Sequence, residues 1–340
     1  MRRTSISIAE APAIPAPLPQ GSRRVDYLDG WRGLAIGLVL CSHFLPLPHT
    51  INTGRFGVDV FFCLSGFLMS NILFVKRTPL RTFYKRRISR ILPVFFLFVI
   101  VTFTIAWLIG APATWGEFLA TITFLRTYIP SSPGIWHSPL PISHIWSLNA
   151  EEHCYVFLSL IASLAFLRKR EGWVLIGAGV LAMVIHMIYI KFPAIAPSSG
   201  DLGTEVVASH LLISAGYFLV RDRFRRFVRP WMPVVTLPLA ACTYLGHTLW
   251  WAPMLLSPFL LAFTVNHLAD SPAAFTGALA FRPLRLLGIW SYSIYIWQQP
   301  FYQFSHRFFP GGAFIGAMTT ALLSFYLFEN PLRAWMNRNW

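Results

Sequence analysis

An arginine and a histidine stand eleven residues apart in the first long apolar segment, DGWRGLAIGLVLCSHFLPLPH. Arg32 and His43 are about three helical turns, or roughly 16 Å, apart along a helix axis, so both side chains lie on one face. Polar groups inside a membrane are costly, which makes them functional candidates. A neutral imidazole can take a proton from a hydroxyl near pH 7. The alternative is a histidine that only hydrogen-bonds a neighbouring helix; its pairing with Arg32 and the motifs below favour a general base.

Carboxylates follow in two further apolar segments. Asp59 lies in GRFGVDVFFCLSGFLMS, where it could orient His43 or form a purely structural hydrogen bond. Glu151 and Glu152 are adjacent in HIWSLNAEEHCYVF. Neighbouring residues of a helix point about 100° apart, so we expect at most one of these carboxylates to face a cavity beside His43. The alternative for each glutamate is a solvated position at the membrane surface. Ser65 has no GxSxG context, and we expect it to pack helices rather than act as a nucleophile.

A basic run, KRTPLRTFYKRRISR, contains Arg86, Arg87 and Arg90. Arg87 and Arg90 are three residues apart at the start of a predicted helix and can share a face. Their guanidinium groups suit phosphate, and a CoA nucleotide carries several phosphates. The alternative is that these arginines only set the membrane topology.

The composition indicates where these residues must lie. Apolar residues make up 55% of the 340-residue chain and charged residues 12%, whereas a soluble domain carries about a quarter charged residues. The net charge of +15 would fit a nucleic-acid-binding protein, but the basic residues cluster between apolar runs and no nucleic-acid motif accompanies them. The four cysteines are far apart and show no metal-binding spacing, so we expect no metal.

The apolar segments predict an all-α polytopic membrane bundle of about ten transmembrane helices. The basic clusters all fall on one side of a ten-span arrangement, and loops 45–57, 111–144, 191–203 and 305–312 on the other side are nearly free of Lys and Arg. This asymmetry places both termini in the cytoplasm. Segment 115–129 carries Glu117 and Arg126 and is predicted to be a partly buried or interfacial helix. The predicted spans are 32–50, 58–75, 91–110, 145–167, 173–190, 204–220, 231–246, 249–266, 286–304 and 313–329.

The domain organisation is predicted to be simple. Residues 1–24 contain a Pro/Ala-rich tract and no apolar signal segment, so we expect a disordered cytoplasmic tail. Residues 25–336 form the membrane domain, and we expect no appended soluble domain. The sequence therefore predicts a multi-pass protein of the cell inner (plasma) membrane.

Six sequence blocks resemble the integral-membrane acyltransferase 3 family. They occur in the family's order and span roughly residues 27–333. The blocks are YLDGWRGLAIGLVLCSHF, GVDVFFCLSGFL, RRISRILP, HIWSLNAEEHCY, SYSIYIW and FENPLR.

This resemblance implies a ten-helix bundle that takes an acyl group, most often acetyl, from cytoplasmic acyl-CoA and transfers it to a hydroxyl. Acceptors in the family are mostly glycans of the cell surface and sometimes small secreted metabolites. The resemblance also implies that His43 is the catalytic base and Arg32 its partner, that Glu152 or Glu151 is the acidic residue, and that Arg87 and Arg90 contact CoA.

The chain departs from the family pattern at two places. Gln298 stands where a histidine often follows SYSIYLW, which puts any proton-transfer role there in doubt. His153 and Cys154 replace the usual polar and aromatic pair after the glutamates, so the lining at that point is not defined by the resemblance.

A proton-coupled transporter or flippase of a lipid-linked sugar is the alternative function. It would use the same spans, with Asp59, His43 and Glu151 as a proton relay. We see no paired broken helices in matching halves of the sequence. An acyltransferase consumes the acyl-CoA thioester, whereas a transporter moves its substrate unchanged.

Overall fold

The computed structural model describes residues 25–48, 50–246, 249–309 and 311–340. Within these ranges the chain is helical and contains no strand, apart from an antiparallel bridge between Ile51 and Leu245. The all-α prediction is therefore confirmed. The predicted tail, residues 1–24, lies outside the described residues.

Fifteen α-helices make up the described part of the chain, and π-helical turns extend α2 and α14. They are α1 Asp26–Phe44, α2 Thr53–Ser70 with its turn Asn71–Val75, α3 Leu80–Leu108, α4 Trp115–Ile122, α5 Ile145–Ser163, α6 Glu171–Lys191, α7 Thr204–Val207, α8 Ser209–Val220, α9 Met232–Cys242, α10 Ala252–Leu255, α11 Ser257–Asn266, α12 Ala273–Leu279, α13 Arg282–Gln303, α14 Gly312–Ser324 with its turn Phe325–Glu329, and α15 Asn330–Asn339.

Each of the ten predicted spans coincides with one of these helices or with a consecutive pair. Four helices of the described chain are long and apolar enough to cross a membrane by length and composition: Thr53–Val75, Leu80–Leu108, Glu171–Lys191 and Gly312–Asn339. The remaining spans are shorter or more polar. The count of about ten spans and the cytoplasmic position of the termini therefore stay predictions.

The long helices run alternately between two ends of the bundle. One end, here called the basic end, holds loops 76–79, 164–170 and 221–231, with most of the clustered arginines and lysines. The other end, here called the opposite end, holds residues 45–48, 50–52, 109–144 (which include α4), 192–203, 243–246, 249–251, 304–309 and 311. His43, near the C-terminus of α1, lies at the opposite end of the bundle, and Arg32 lies nearer the basic end.

Segment 115–129 is helical over only part of its length. Helix α4 covers Trp115–Ile122, and a loop follows. Glu117 and Arg126 form an ion pair of 2.7 Å whose side chains are fully buried. Tyr128 donates a 2.6 Å hydrogen bond to Glu205, and burial together with this contact raises the pKa of Tyr128 to about 12. The segment, here called the cover, is thus partly buried, as predicted, and a buried ion pair that the sequence did not reveal holds it in place.

Helix α1 packs most extensively against α13, and two glycines allow the backbones to meet. A Cβ atom on Gly33 would lie 1.9 Å from the carbonyl oxygen of Leu284, and one on Gly288 would lie 1.7 Å from that of Asp29. No side chain fits at either position. Small residues have this role at close helix crossings in membranes.

We predict that Gly33→Ala destabilises the bundle by about 1–3 kcal/mol, because the added methyl group forces α1 away from α13. Gly37 lies one turn further along α1, and a Cβ added there meets no atom within 4 Å. Gly37→Ala should therefore not lower stability. Thermal unfolding of the detergent-solubilised chain measures both variants, and equal losses would contradict this account of the crossing.

Candidate active site

A cavity of about 530 Å³, here called the large cavity, lies at the opposite end of the bundle and is lined by His43. The Nδ1 atom of His43 is 2.5 Å from Oε1 of Gln298. The ring also stacks on Tyr302, with 3.9 Å between ring centroids. An amide oxygen only accepts hydrogen bonds, so this contact assigns the ring proton to Nδ1 and leaves the Nε2 lone pair unprotonated. This arrangement suits a general base.

The wall beside His43 comes from the start of α5 and from α13. His144 and Ser143 line the cavity, and Gln299 donates a 2.7 Å hydrogen bond from Nε2 to the Ser143 hydroxyl. Tyr295 donates a 2.9 Å hydrogen bond to the His144 carbonyl oxygen and lies 2.5 Å from the Ser147 hydroxyl. These bonds fix the positions of side chains around His43.

Asp59 lines the same cavity but contacts other groups than His43. It accepts hydrogen bonds from Arg55 at 3.2 Å and from Tyr244 at 2.7 Å, and His210 lies 3.5 Å away. The structure therefore gives Asp59 a charge-compensating position beside Arg55, and Gln298 is the residue that orients His43.

Three tryptophans give the large cavity aromatic surface. Trp146 is buried, and the Arg55 guanidinium carbon lies over its ring, 4.9 Å from the ring centroid. Trp136 and Trp250 are 57% and 60% exposed and line the same cavity. Exposed aromatic faces next to hydrogen-bonding side chains suit the apolar faces and hydroxyl groups of a sugar.

A second, narrower cavity of about 120 Å³, here called the small cavity, lies toward the basic end. Its lining includes Arg32, Arg87 and Arg90. Val58 and Tyr295 line both cavities, so the two spaces adjoin each other across these residues. Arg32 and His43, predicted to share a face of α1, therefore line two adjoining spaces.

The two glutamates of α5 both lie next to Arg87. Glu152 Oε1 is 2.9 Å from the Arg87 guanidinium, and Glu151 is 3.8 Å from it. The guanidinium also lies over the Tyr155 ring at 3.2 Å. Glu151 accepts a 2.5 Å hydrogen bond from Ser65 and a short one from Tyr155. Neither glutamate lines the large cavity beside His43, where at most one was expected; Glu151 lines the small cavity instead, and Glu152 lines neither.

The arginines predicted to contact CoA differ in their surroundings. Arg87 is largely buried and ion-paired, whereas Arg86 and Arg90 are exposed and form no ion pair within the described residues. Arg32 pairs with Asp29 at 2.7 Å. Phosphate groups at the basic end would therefore meet Arg86 and Arg90 first, while Arg87 balances the glutamates.

Sequence reasoning missed several residues that shape the site. Gln298 was singled out only as a departure from the family pattern, and Tyr295 and Tyr302 were not considered. The spacing of SYSIYIWQQPFYQ contains a signal, because Tyr295, Gln298 and Tyr302 are three and four residues apart and so share a helix face. The described residues contain no group of three or more His, Cys, Asp or Glu that could hold a metal ion.

Comparisons with known proteins show the family. A family model described as an acyltransferase domain matches residues 25–329, which confirms the resemblance of the six sequence blocks. The peptidoglycan O-acetyltransferase OatA of Listeria monocytogenes is 28% identical over 322 residues, which cover 81% of this chain and 49% of that protein. YrhL of Bacillus subtilis, a candidate peptidoglycan O-acetyltransferase, is 26% identical over 320 residues (83% and 49%). The O-acetyltransferase OatA of Staphylococcus aureus is 24% identical over 351 residues (92% and 57%).

The chain thus spans about half the length of the curated relatives it matches. No solved structure matches it.

We predict that Arg87→Ala destabilises the protein by about 3 kcal/mol, because it leaves two partly buried carboxylates without their counter-charge. Arg90→Ala, one turn further along α3, removes an exposed arginine and should change the free energy of unfolding by less than about 0.5 kcal/mol. Thermal unfolding in the same detergent compares the two. A loss for Arg90→Ala as large as that for Arg87→Ala would show that the ion pair does not support the bundle.

Proposed function

We propose that this chain, which belongs to the acyltransferase 3 family, transfers an acetyl group from acetyl-CoA to a hydroxyl of a glycan of the peptidoglycan type. The main support is that the His43 cavity adjoins the arginine-lined cavity across Val58 and Tyr295. A base on one side of this junction and cations on the other suit a reaction between a hydroxyl and an anionic thioester donor. The proposed acceptor class is taken from the relatives in Listeria monocytogenes and Bacillus subtilis, which are named as peptidoglycan O-acetyltransferases.

The donor is proposed to enter from the basic end. Pockets that enclose drug-sized ligands have volumes of roughly 300–1,000 Å³. The small cavity, at about 120 Å³, therefore leaves the CoA nucleotide outside. Its phosphates would lie at Arg86 and Arg90, and the slender pantetheine arm would carry the acetyl thioester inward past Arg32. The positive-inside rule supports the proposal that this end faces the cytoplasm and that the chain is a multi-pass plasma-membrane protein.

The acceptor is proposed to occupy the large cavity. A volume of about 530 Å³ accommodates one or two sugar rings, and the walls supply both aromatic surface and hydrogen-bonding groups. The acceptor hydroxyl would lie at Nε2 of His43, at the junction of the two cavities.

The chemistry then follows from the tautomer of His43. Nε2 takes the hydroxyl proton while the acceptor oxygen attacks the thioester carbonyl carbon. Gln298 accepts a hydrogen bond from Nδ1–H and stabilises the imidazolium that forms. When the C–S bond breaks, the CoA thiolate takes the proton from His43, so the products are the acetyl ester and CoA with no net proton change. No acyl-enzyme is needed.

His43→Ala should lower acetyl-CoA-dependent acetylation of a peptidoglycan fragment by about 10²–10⁴-fold, because the general base is lost. The measurement is acceptor-dependent release of CoA by the purified chain. His306 is exposed at the same end of the bundle and does not line the large cavity, so His306→Ala is the matched control and should retain the wild-type rate. Full activity of His43→Ala would exclude it as the base.

Gln298→Leu should lower kcat about tenfold, which corresponds to the loss of one positioning hydrogen bond, and leave the KM for acetyl-CoA unchanged. Gln303, at the end of the same helix, donates a hydrogen bond to the Pro139 carbonyl oxygen and lines neither cavity, so Gln303→Leu serves as the control. Steady-state kinetics separate kcat from KM. A rise in KM with normal kcat would instead indicate that Gln298 binds substrate and does not orient His43.

A further inference from the structure

An apolar groove on the lipid-facing side of the bundle adjoins the large cavity. This lateral groove lies between the half of α6 nearest the opposite end and the α10–α11 pair, and its volume is about 720 Å³. Its side chains are open to the surroundings, with Val184 48% and Phe259 45% exposed. The lining includes Val180, Met183, Val184, Ile188, Leu255 and Phe259.

The lateral groove and the large cavity share a wall. Ile190 and Trp250 line both of them. Trp250 is 60% exposed, so a molecule that passes over its exposed face can reach both spaces, with a polar part beside His43 and an apolar part along α6. The groove extends from Val180 to Phe192, about 18 Å along the helix, which is more than half the thickness of a bilayer's hydrocarbon core.

Lys191 lies where the two spaces join. It lines the groove at the end of α6, is exposed, and has no carboxylate partner in the part of the chain that the structure describes. The buried arginines of the same end are compensated: Arg55 by Asp59 and Arg126 by Glu117. Lys191 therefore offers a positive charge to an anionic group between the groove and the cavity.

We propose that the acceptor is an amphiphile, namely a sugar joined through phosphate to a long hydrocarbon chain. This inference rests on the proposed function and names the form in which the glycan reaches the site. The hydrocarbon chain lies in the lateral groove, the phosphate contacts Lys191, and the sugar passes Trp250 to reach His43. An ordinary phospholipid would fill the groove and contact Lys191 but would leave the large cavity without an occupant.

The groove helps to position the acceptor's sugar and adds little to the binding free energy of its hydrocarbon chain. Lipid tails solvate a hydrocarbon chain as well as the groove does, so little free energy is gained by moving the chain from one to the other. A tethered sugar, however, meets the cavity at a high effective concentration and in one orientation. The expected signature is therefore a lower KM for the anchored acceptor, with a similar kcat.

The test compares two acceptors that contain the same disaccharide, one linked through diphosphate to a polyisoprenyl chain and one released from it. The full chain in lipid nanodiscs is supplied with acetyl-CoA, and kcat and KM are measured. We expect the anchored acceptor to have the lower KM. Val184→Trp, which fills the groove, and Lys191→Gln should each raise the KM for the anchored acceptor, by about tenfold for the lost charge contact. Neither variant should change the kinetics with the released disaccharide.

The matched control is Leu181→Trp, on the same helix, because Leu181 is 58% exposed and does not line the groove. It should leave the kinetics with both acceptors unchanged. Equal KM values for the two acceptors in the wild type, or no effect of Val184→Trp, would overturn the inference and indicate ordinary lipid in the groove.

A second arm needs no turnover and separates this inference from the proposed function. A photoreactive polyisoprenyl-diphosphate disaccharide should label α6 in the wild type and label it weakly in Val184→Trp. The phospholipid phosphatidylglycerol, added in excess, should compete poorly with this probe for labelling of α6. Labelling without any acetyl transfer would uphold the groove while contradicting the acetyltransferase. Equal competition by phosphatidylglycerol would overturn the groove assignment.

Discussion

The close crossing of α1 and α13 is the constraint on which the site depends. Gly33 and Gly288 bring the two backbones together. One consequence is that His43, near the end of α1, meets Gln298 and Tyr302 of α13 at hydrogen-bonding and stacking distance. A wider crossing would leave the imidazole without the amide that assigns its tautomer. Helix packing thus determines which ring nitrogen can accept a proton.

Compensated charge is the second constraint. Charged side chains inside a low-dielectric bundle are costly unless they are paired. Among the described residues, such ion pairs occur at several depths in the bundle. Arg126 and Glu117 hold the cover at the opposite end, Arg55 and Asp59 lie in the wall of the large cavity, and Arg87 lies among Glu151, Glu152 and Tyr155. His43, Arg86, Arg90 and Lys191 are among the basic residues that form no ion pair in the part of the chain that the structure describes, and to these four we assign contact with substrate.

The sequence predicted the helices well and the contacts between them poorly. Long apolar runs specify membrane helices by themselves, so the ten predicted segments were found as helices. The spacing of Arg32 and His43 predicted that both lie on one face of α1, and in the structure His43 lines the large cavity while Arg32 lines the adjoining small cavity. Contacts between distant helices have no local signal, however. Gln298 lies 255 residues from His43 and Glu152 lies 65 from Arg87, so the sequence could not show that Gln298 contacts His43 or that Arg87 pairs with Glu152. It also left open whether Asp59 orients His43 or forms a structural hydrogen bond, and the structure shows the second.

The central claim is that the acetyl group passes between two cavities that open toward opposite sides of a membrane. The direct measurement uses sealed proteoliposomes with labelled acetyl-CoA outside and the acceptor either trapped inside or added outside. The account predicts that label appears on the trapped acceptor, through molecules whose basic end faces outward, while acceptor on the donor side stays unmodified. Acetylation only when both substrates are on the same side would contradict transfer through the junction at Val58 and Tyr295.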